Sequence, residues 1–447
     1  MNREMSRAGV GTTMVTLFRK KGNLEVDLPK DWELLQTLYK EGEKARRPLR
    51  DLIEEALDHP NDSRPLEKML KPGIRVAIVV DDGTRPTPIR ELLPPLLKRI
   101  HQCGVFKKDV DIVIGVGTHR PLSQKEIEER CGKEVVKAYR IQNHNARSGD
   151  LIRMGEVPGF GTVSMNATVM EADVKITLGS ILPHVHNGFG GGPKGVMPGI
   201  CDFETVRKHH LKNVVDHRSI LGNITDNPFY RDCCQIARLA SVDFSVNCLF
   251  DSLGEVFEVL AGNLFAVHDL GIKKTKEALG VPISKISDLT IVSSFPYDEG
   301  PQIVKPVLPA AMITQPGGTI FLLAEISAPL PEFFLESFSK IRDCGGEEAE
   351  GRIREKLRCV EPIIEGPMDF NMALILIFFV SKKYRVVLVA DEVLREAALR
   401  MGFDYAPDLL GAIQETKKQK ENLTVNLIPA GGYIFPLIRG GFRLMGS

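Results

Sequence analysis

Short apolar segments of strand length alternate with amphipathic segments of helical length along most of this chain. Several of the apolar segments, such as VAIVV within residues 75–80, have no polar face, which is typical of parallel strands buried on both sides. The strands predicted in this way are 75–80, 110–115, 174–178, 244–250, 289–293, 319–323 and 385–390. The helices predicted between them are 31–57, 89–103, 123–130, 227–240, 266–278 and 391–401. This alternation predicts an α/β protein with mostly parallel sheets.

The length of 447 residues predicts two or three domains, at roughly 150 residues each. The segment GVPISKISD at 280–288 separates a predicted helix from a new strand, and its Gly, Pro and Ser residues are typical of a boundary. We therefore predict an N-terminal α/β domain over residues 1–278 and a C-terminal α/β domain over residues 279–447, with an active-site cleft between them. Residues 13–28 are predicted to form a β-hairpin, and Asp31 and Ser123 to cap helices.

Charge and cysteine usage exclude some classes of protein. The chain has 58 basic and 58 acidic side chains, so its formal charge is zero, which excludes nucleic-acid binding through bulk charge. The apolar run at 372–380 is too short for a transmembrane helix, which needs about 20 residues, and the N-terminus shows no export signal. The 8 cysteines form no CxxC pair, as expected of reduced thiols. We expect a cytoplasmic protein whose partners include neither nucleic acid nor a membrane.

Histidine and glycine are concentrated in one stretch. Five of the 10 histidines lie at positions 184, 186, 209, 210 and 217. The same stretch contains GFGGGPKGVMPG, in which Lys194 is surrounded by glycines. The spacing fits neither a Walker loop nor a GxGxxG turn, and glycine clusters alone are typical of surface loops. Glycines also admit a phosphate or planar cofactor, and a lysine with few carboxylates nearby can act as a nucleophile once it is desolvated.

Polar residues follow three of the predicted strands. The sequence Asp82-Gly83-Thr84-Arg85 comes after the strand 75–80, His119 comes after 110–115, and a third strand leads to His184. Ligands of open α/β sheets bind outside the carboxyl ends of the strands, so we expect these loops to meet at one rim. An arginine binds a planar carboxylate with two hydrogen bonds, and a histidine can take and return a hydroxyl proton near neutral pH. A turn with a local Asp82–Arg85 ion pair, and a structural histidine at 119, are the alternatives.

A further polar pair follows a strand of the second domain. Gln302 and Lys305 are three residues apart after Pro301, so a helix beginning near this proline would place both on one face. The pair would offer an amide and a cation to a ligand. An ordinary solvated helix start is the alternative.

The motifs described above, in the order in which they occur along the chain, resemble those of the nickel-pincer lactate racemase family. They are Asp82-x-x-Arg85, GTHRP at His119, HxxxGFxGGxK from His184 to Lys194, His210 and Gln302-x-x-Lys305. The resemblance implies a cofactor in which nickel is held by a pincer nucleotide, derived from nicotinic acid, with thioamide and thioacid arms. It also implies that cofactor-maturation enzymes are partners of this chain.

The resemblance assigns a role to each matching residue. Lys194 would bond covalently to the cofactor, and His210 would be the nickel ligand; His209 points about 100° away from it on a helix, so only one of the two can be the ligand. His119 and His184 would be the acid/base pair. The substrate carboxylate would be bound by Arg85, Gln302 and Lys305, and the cofactor by Asp82, Thr84, Gly188, Gly190, Gly191 and Gly192, with backbone N–H groups of the glycines on its phosphate.

The implied activity is that of a nickel-dependent isomerase, a racemase or epimerase of a 2-hydroxy acid. Hydride would pass reversibly to the cofactor through a 2-keto acid intermediate, with one histidine on each side. The lactate enzymes of this family have a tryptophan near the substrate in the second domain, whereas the single tryptophan here is Trp32 and Phe370 is the nearest aromatic candidate. Another 2-hydroxy acid, or a sugar acid epimerised at C2, is therefore as good a candidate as lactate.

Two other functions are compatible with the same residues. A zinc-dependent hydrolase would use the histidine cluster as metal ligands. A non-catalytic protein would bind an anionic metabolite through the same cations.

Overall fold

The computed structural model describes residues 8–9, 12–40, 47–327, 329–438 and 442–445. Contacts divide the chain into two compact units. The central unit consists of Glu43–Asp251 and Glu255–Glu277. The terminal unit consists of the described parts of Met1–Gly42 and Ala278–Ser447 together with Ser252–Gly254.

The strands alternate with helices in both units. The strands are β1 (Ala8–Gly9), β2 (Thr12–Leu17), β3 (Leu24–Leu28), β4 (Glu33–Thr37), β5 (Val76–Asp81), β6 (Val110–Gly115), β7 (Arg140–Asn143), β8 (Leu151–Val157), β9 (Gly161–Asn166), β10 (Val174–Ile181), β11 (Pro183–His184), β12 (Gly188–Phe189), β13 (Phe244–Phe250), β14 (Val256–Gly262), β15 (Gly280–Pro282), β16 (Ser287–Ser293), β17 (Thr314–Leu323), β18 (Arg385–Val389), β19 (Asp404–Ala406), β20 (Thr424–Ile428) and β21 (Phe435–Leu437).

The α-helices are α1 (Leu49–Asp58), α2 (Ile89–Gln102), α3 (Gln124–Cys131), α4 (Lys133–Ala138), α5 (Ala167–Met170), α6 (Phe203–Asn213), α7 (Pro228–Arg238), α8 (Leu264–Leu279), α9 (Val307–Ala311), α10 (Glu332–Asp343), α11 (Gly346–Arg358), α12 (Met368–Ser381), α13 (Arg395–Met401) and α14 (Leu409–Gln419). Within the described residues, none of these helices is long and apolar enough to cross a membrane. Ser123 caps α3 as predicted, in a capping box with Glu126.

The central unit is built on a six-stranded sheet in the order β14-β13-β10-β5-β6-β7. All neighbouring strands are parallel except β13 and β14. Strand β13 is buried along its whole length, and β5 and β10 are buried at all but one position each. This burial explains why these strands are mostly apolar, and the sheets confirm the predicted α/β class with mostly parallel strands.

The terminal unit has a second six-stranded sheet, in the order β19-β18-β17-β16-β20-β4, in which every pair is parallel. Its core contains Ile291, Phe321 and Leu427 from the strands and Leu17 from the antiparallel β2–β3 hairpin, whose formation was predicted. Trp32 is buried in the same core.

The prediction that residues 1–278 form the first domain, with a helix over 31–57, was wrong at its beginning. Residues 33–37 form the edge strand β4, which pairs with β20 of the terminal unit, and the helix of this region is α1; residues 41–46 lie outside the described residues. Pairing along an open sheet edge has overridden local helix propensity. Asp31 is not an N-cap, because no helix begins after it, and its carboxylate accepts a hydrogen bond from Lys417 Nζ at 2.8 Å.

Leu17 of the β2–β3 hairpin lies in the core of the terminal unit, so we predict that the hairpin stabilises this unit. Leu17→Ala removes a fully buried side chain from that core, so we expect the free energy of unfolding of the unit to fall by about 2–5 kcal/mol. Urea unfolding followed by the fluorescence of Trp32, the single tryptophan, measures it. The control Glu25→Ala alters an exposed residue of β3 and should change the value by at most about 0.5 kcal/mol. Equal stability of the two variants would contradict the assignment.

Candidate active site

The loops that follow β5, β6 and β10 meet at the carboxyl edge of the central sheet. The parallel register pairs Leu178 with Val80 and Gly115 with Asp81, so the three strands end side by side. A cavity opens at this edge, as the sequence predicted. Its lining includes Asp82, Arg85, His119, Gly191, Gly192, Lys194 and Asn247. Thr84, His184, Gly188, Gly190 and His210 are not part of this lining.

Asp82 and His119 form a close pair in the cavity wall. His119 Nδ1 donates to Asp82 Oδ2 at 2.5 Å, and the backbone N–H and hydroxyl of Thr84 donate to Asp82 Oδ1 at 3.0 and 2.6 Å. Burial alone would raise the pKa of Asp82, but His119 and Arg85 outweigh it and hold the pKa well below its ordinary value. The ionised carboxylate keeps the proton of the neutral imidazole on Nδ1, so Nε2 is the acceptor. Thr84 thus holds the carboxylate of Asp82 in place through the oxygen that does not face His119.

Arg85 is a half-buried cation in the same wall. Among the described residues, no carboxylate forms an ion pair with its guanidinium, because Asp82 is engaged by His119 instead. The alternative of a local Asp82–Arg85 ion pair was therefore wrong. An unpaired guanidinium at a cavity wall is suited to bind an anionic ligand.

The glycine loop is packed inside the unit and is not a surface loop. A Cβ on Gly191 would lie 2.6 Å from the carbonyl oxygen of Ser180, and one on Gly192 would lie 2.6 Å from the ring of His268. Both residues have positive φ, +73° and +49°. Glycine is required here because the backbone has no room for side chains.

Two side chains that sequence reasoning missed hold this loop. Asn247 Oδ1 accepts a hydrogen bond from the N–H of Gly192 at 3.1 Å, and His268 Nε2 donates to the carbonyl oxygen of Gly190 at 3.0 Å. Burial lowers the pKa of His268 to about 4, so its ring is neutral. The only sequence signal for Asn247 was a polar residue within the apolar strand FSVNCLF.

These bonds correct one expectation about the glycines. The N–H of Gly192 donates to Asn247, and that of Gly190 donates to the carbonyl oxygen of Leu182 at 2.7 Å. Neither N–H can bind a phosphate without losing its present partner. What the glycines supply in this structure is the close packing of the loop backbone against Ser180 and His268.

Lys194 lies in the 3-10 turn Gly192–Gly195 that follows, with a partly exposed side chain. Among the described residues, none forms an ion pair with its amine. Burial lowers the pKa of Lys194 to about 8, and the charge of Arg85 adds to this effect. A substantial fraction of the amine is therefore neutral and nucleophilic at physiological pH.

The hydrogen bonds of α6 distinguish His210 from His209. His210 Nδ1 donates to the carbonyl oxygen of Val206 at 2.9 Å, which leaves Nε2 as the acceptor nitrogen. His209 Nε2 is bonded to the carbonyl oxygen of Phe229 at 2.9 Å, and its Nδ1 faces His210 Nδ1 at 3.4 Å. Burial lowers the pKa of both rings, that of His209 to about 4. His210 thus offers a neutral imidazole whose other nitrogen is bonded to a backbone carbonyl oxygen, an arrangement that metal-binding histidines also have.

The part of the chain that is described holds no group of three or more His, Cys, Asp or Glu side chains arranged around a metal ion. The zinc hydrolase alternative requires three such protein ligands.

His184 lies in β11, at the start of the glycine loop, and its hydrogen bonds are the reverse of those of His119. Its Nδ1 accepts from the backbone N–H groups of His186 at 3.3 Å and Asn187 at 3.1 Å. These bonds assign the proton of the neutral ring to Nε2.

Gln302 and Lys305 belong to the terminal unit. They lie in and just after a 3-10 turn, Gly300–Val304, in place of the predicted helix. Gln302 is buried, and its Oε1 has no hydrogen-bond partner among the described residues. The ammonium of Lys305 lies over the ring of Tyr297, 5.4 Å from its centroid. Phe370 is buried against Phe333 and Phe334, within the core of this unit.

Comparisons with known proteins agree with these motifs. Residues 20–222 match the lactate racemase N-terminal domain family. The lactate racemase of Lactiplantibacillus plantarum is 29% identical over 279 residues, which is 61% of this chain and 65% of that protein, slightly less than two thirds of its length. The lactate racemase of Thermoanaerobacterium thermosaccharolyticum is 28% identical over 316 residues, which is 68% of this chain and 72% of that protein.

Solved structures share the fold. The lactate racemase apoprotein from Thermoanaerobacterium thermosaccharolyticum matches with a TM-score of 0.84 and 25% identity, over 95% of this chain and 100% of that one. A crystal structure of a Thermotoga maritima protein matches with a TM-score of 0.65 and 17% identity over 89% of this chain and 99% of that one, which supports the fold alone. Taken with the domain match and the two curated relatives, the first of these structures shows that residues 20–222 match the lactate racemase N-terminal domain family and that the chain is similar to lactate racemases in sequence and fold.

Proposed function

We propose that this protein is a racemase or epimerase of a 2-hydroxy acid that works with a nickel-pincer nucleotide attached to Lys194. The observation that carries the proposal is the cavity of the central unit, where an unpaired arginine, a lysine of lowered pKa and an Asp–His pair lie together. The curated relatives reported above are lactate racemases by name.

The residues present fit such a group. Lys194 supplies a partly neutral amine for its covalent attachment. Gly191 and Gly192 let the backbone next to that amine pack directly against Ser180 and His268, and His210 Nε2 would supply one imidazole to the metal. When bound, the group would supply a hydride acceptor for the α-hydrogen of the substrate.

The side chains of this chain would handle charge and protons. Arg85 would bind the carboxylate of the substrate and so orient its hydroxyl. His119 would take the hydroxyl proton at Nε2, and Asp82 would stabilise the imidazolium that results. Proton transfer of this kind contributes about 10²- to 10⁴-fold to a rate. His184 would exchange a proton with the hydroxyl group of the opposite enantiomer, because interconverting mirror images needs a proton donor and acceptor on each side of the substrate.

The substrate is proposed only as a class. Gln302 and Lys305 would add an amide and a cation to carboxylate binding. Trp32 and Phe370 are both core residues of the terminal unit, so neither indicates lactate as the substrate. Other 2-hydroxy acids and sugar acids epimerised at C2 belong to the same class, and cofactor-maturation enzymes would be the partners.

Replacing Lys194 tests the attachment. Protein produced together with cofactor-maturation enzymes should contain nickel and a mass increase on the peptide with residue 194. Lys194→Ala should lose the adduct, the metal and racemase activity, because it lacks the amine. Lys212→Ala, an exposed lysine of α6, is the control and should retain all three. Intact-protein and peptide mass spectrometry with metal analysis gives the answer; matured wild-type protein without adduct or nickel would refute the proposed function.

Replacing the adjacent histidines tests the metal ligand. His210→Gln should lose nickel but keep the Lys194 adduct, because an amide is a poor nickel ligand while the amine is untouched. His209→Gln retains a donor for the carbonyl oxygen of Phe229 and should keep its nickel. The reverse result would assign the metal to His209.

Racemisation in D₂O tests how the α-hydrogen moves. Hydride transfer should return the original hydrogen, so the product should carry little deuterium at the α-carbon. Proton abstraction would exchange the hydrogen with solvent and label that carbon. Proton NMR of the racemised substrate distinguishes the two, and full labelling would exclude the proposed hydride step.

A further inference from the structure

We propose that Arg130, outside the cavity, is a positioning residue that sets the affinity for the substrate carboxylate by fixing the backbone of Arg85. This inference rests on the proposed function. It concerns a residue of α3 that belongs to none of the motifs found in the sequence.

The guanidinium of Arg130 is hydrogen-bonded to both ends of the loop of residues 81–85. Its Nε donates to the backbone carbonyl oxygen of Asp81 at 2.7 Å, and its Nη1 to that of Arg85 at 3.3 Å. Its Nη2 is paired with the carboxylate oxygen Oδ1 of Asp81. One side chain therefore holds both ends of the loop that carries Asp82 and Arg85. Only a planar group with several fixed donors can make this set of bonds.

Arg130 itself is held in a fixed place. Its side chain is 11% exposed, and it lies on α3, whose first turn is fixed by the capping box of Ser123 and Glu126. Arg120 forms two hydrogen bonds to Glu126, at 3.0 and 2.6 Å, directly after His119 in the chain. Helix α3 is therefore bonded to the loop of His119 through Arg120 and Glu126, and to the loop of Arg85 through Arg130. The Asp82–His119 hydrogen bond joins the same two loops.

The same network reaches the third loop. The second oxygen of Asp81 accepts from the hydroxyl of Thr87 at 2.5 Å, and Thr87 is also hydrogen-bonded to Ser180, which lines the cavity at the end of β10. Arg130, Asp81, Thr87 and Ser180 therefore form one chain of contacts across the ends of β5 and β10. Loss of Arg130 would leave a buried carboxylate unpaired and two carbonyl oxygens without this donor, so the loop would shift.

A shift of the loop acts on substrate binding before it acts on cofactor attachment. Arg85 is tied to this loop by its own carbonyl oxygen, whereas Lys194 is held by the glycine loop, which Asn247 and His268 anchor. We therefore expect the main effect of Arg130 variants to be a higher KM for a carboxylate substrate. Nickel content and the adduct at Lys194 should remain those of the wild type.

The experiment compares Arg130→Lys and Arg130→Gln with wild-type protein, all matured with the cofactor. Arg130→Lys keeps the charge but not the fork, and we expect KM to rise about tenfold while kcat changes much less; a misplacement of about 1 Å can cost up to 10²-fold. Arg130→Gln should show a larger increase. The control is Arg140→Lys, which changes an exposed arginine that forms two hydrogen bonds with Asp111 and bonds to no site loop. Its KM and kcat should stay at wild-type values.

Each outcome decides the matter. An unchanged KM in both Arg130 variants overturns the proposal, and so does a parallel loss of Tm, adduct and nickel in Arg130→Lys, because that would make Arg130 a residue of general stability. If Arg130→Gln fails to fold, the KM and kcat of Arg130→Lys decide alone, and failure of both variants to fold overturns the positioning role. Inactive wild-type protein lacking adduct and nickel would instead refute the proposed function.

Discussion

The parallel register of β6, β5 and β10 is the constraint on which the site depends. Because these strands run in the same direction and end at paired positions, their loops leave the sheet at one edge. The strands are buried and mostly apolar, so most of the polar side chains of the site follow the strand ends. The change from Val80 to Asp81 and Asp82 is that point in β5. The same pattern of burial therefore determines both the arrangement of the strands and the position of the site.

The balance of charge at this edge determines which ligand the cavity can accept. Arg85 and Lys194 contribute two cations that form no ion pair with a carboxylate of the described residues. Two acidic side chains line the cavity as well, and each has another partner: Asp82 is bonded to His119, and Asp81 is paired with Arg130. Desolvating a cation without a partner costs several kcal/mol, and the lowered pKa of Lys194 shows that the amine already responds to this cost. An anionic ligand would offset the remainder, which favours the proposed carboxylate substrate over a neutral one.

Sequence reasoning located the buried strands because parallel strands leave a direct apolar signal. It failed for residues 31–57 because the edge strand β4 is only half-buried, so its pattern resembles an amphipathic helix. The motif residues around Asp82, His119 and Lys194 could be predicted to lie together, since each follows a strand or a glycine loop. Asn247, His268 and Arg130 could not, because each acts through a tertiary contact with a backbone group far away in the chain. The tautomers of the histidines depend on such contacts too.

The two proposed proton-handling histidines are chemically unequal. His119 donates at Nδ1 to a carboxylate and presents an acceptor Nε2, whereas His184 accepts at Nδ1 from two backbone N–H groups and presents an Nε2–H donor. This inequality is compatible with racemisation, because enantiomers have equal free energies and the equilibrium constant is one whatever the residues are. It follows that kcat/KM must be equal in the two directions. The asymmetry of the site can therefore appear only as a matched difference in kcat and in KM between the two enantiomers.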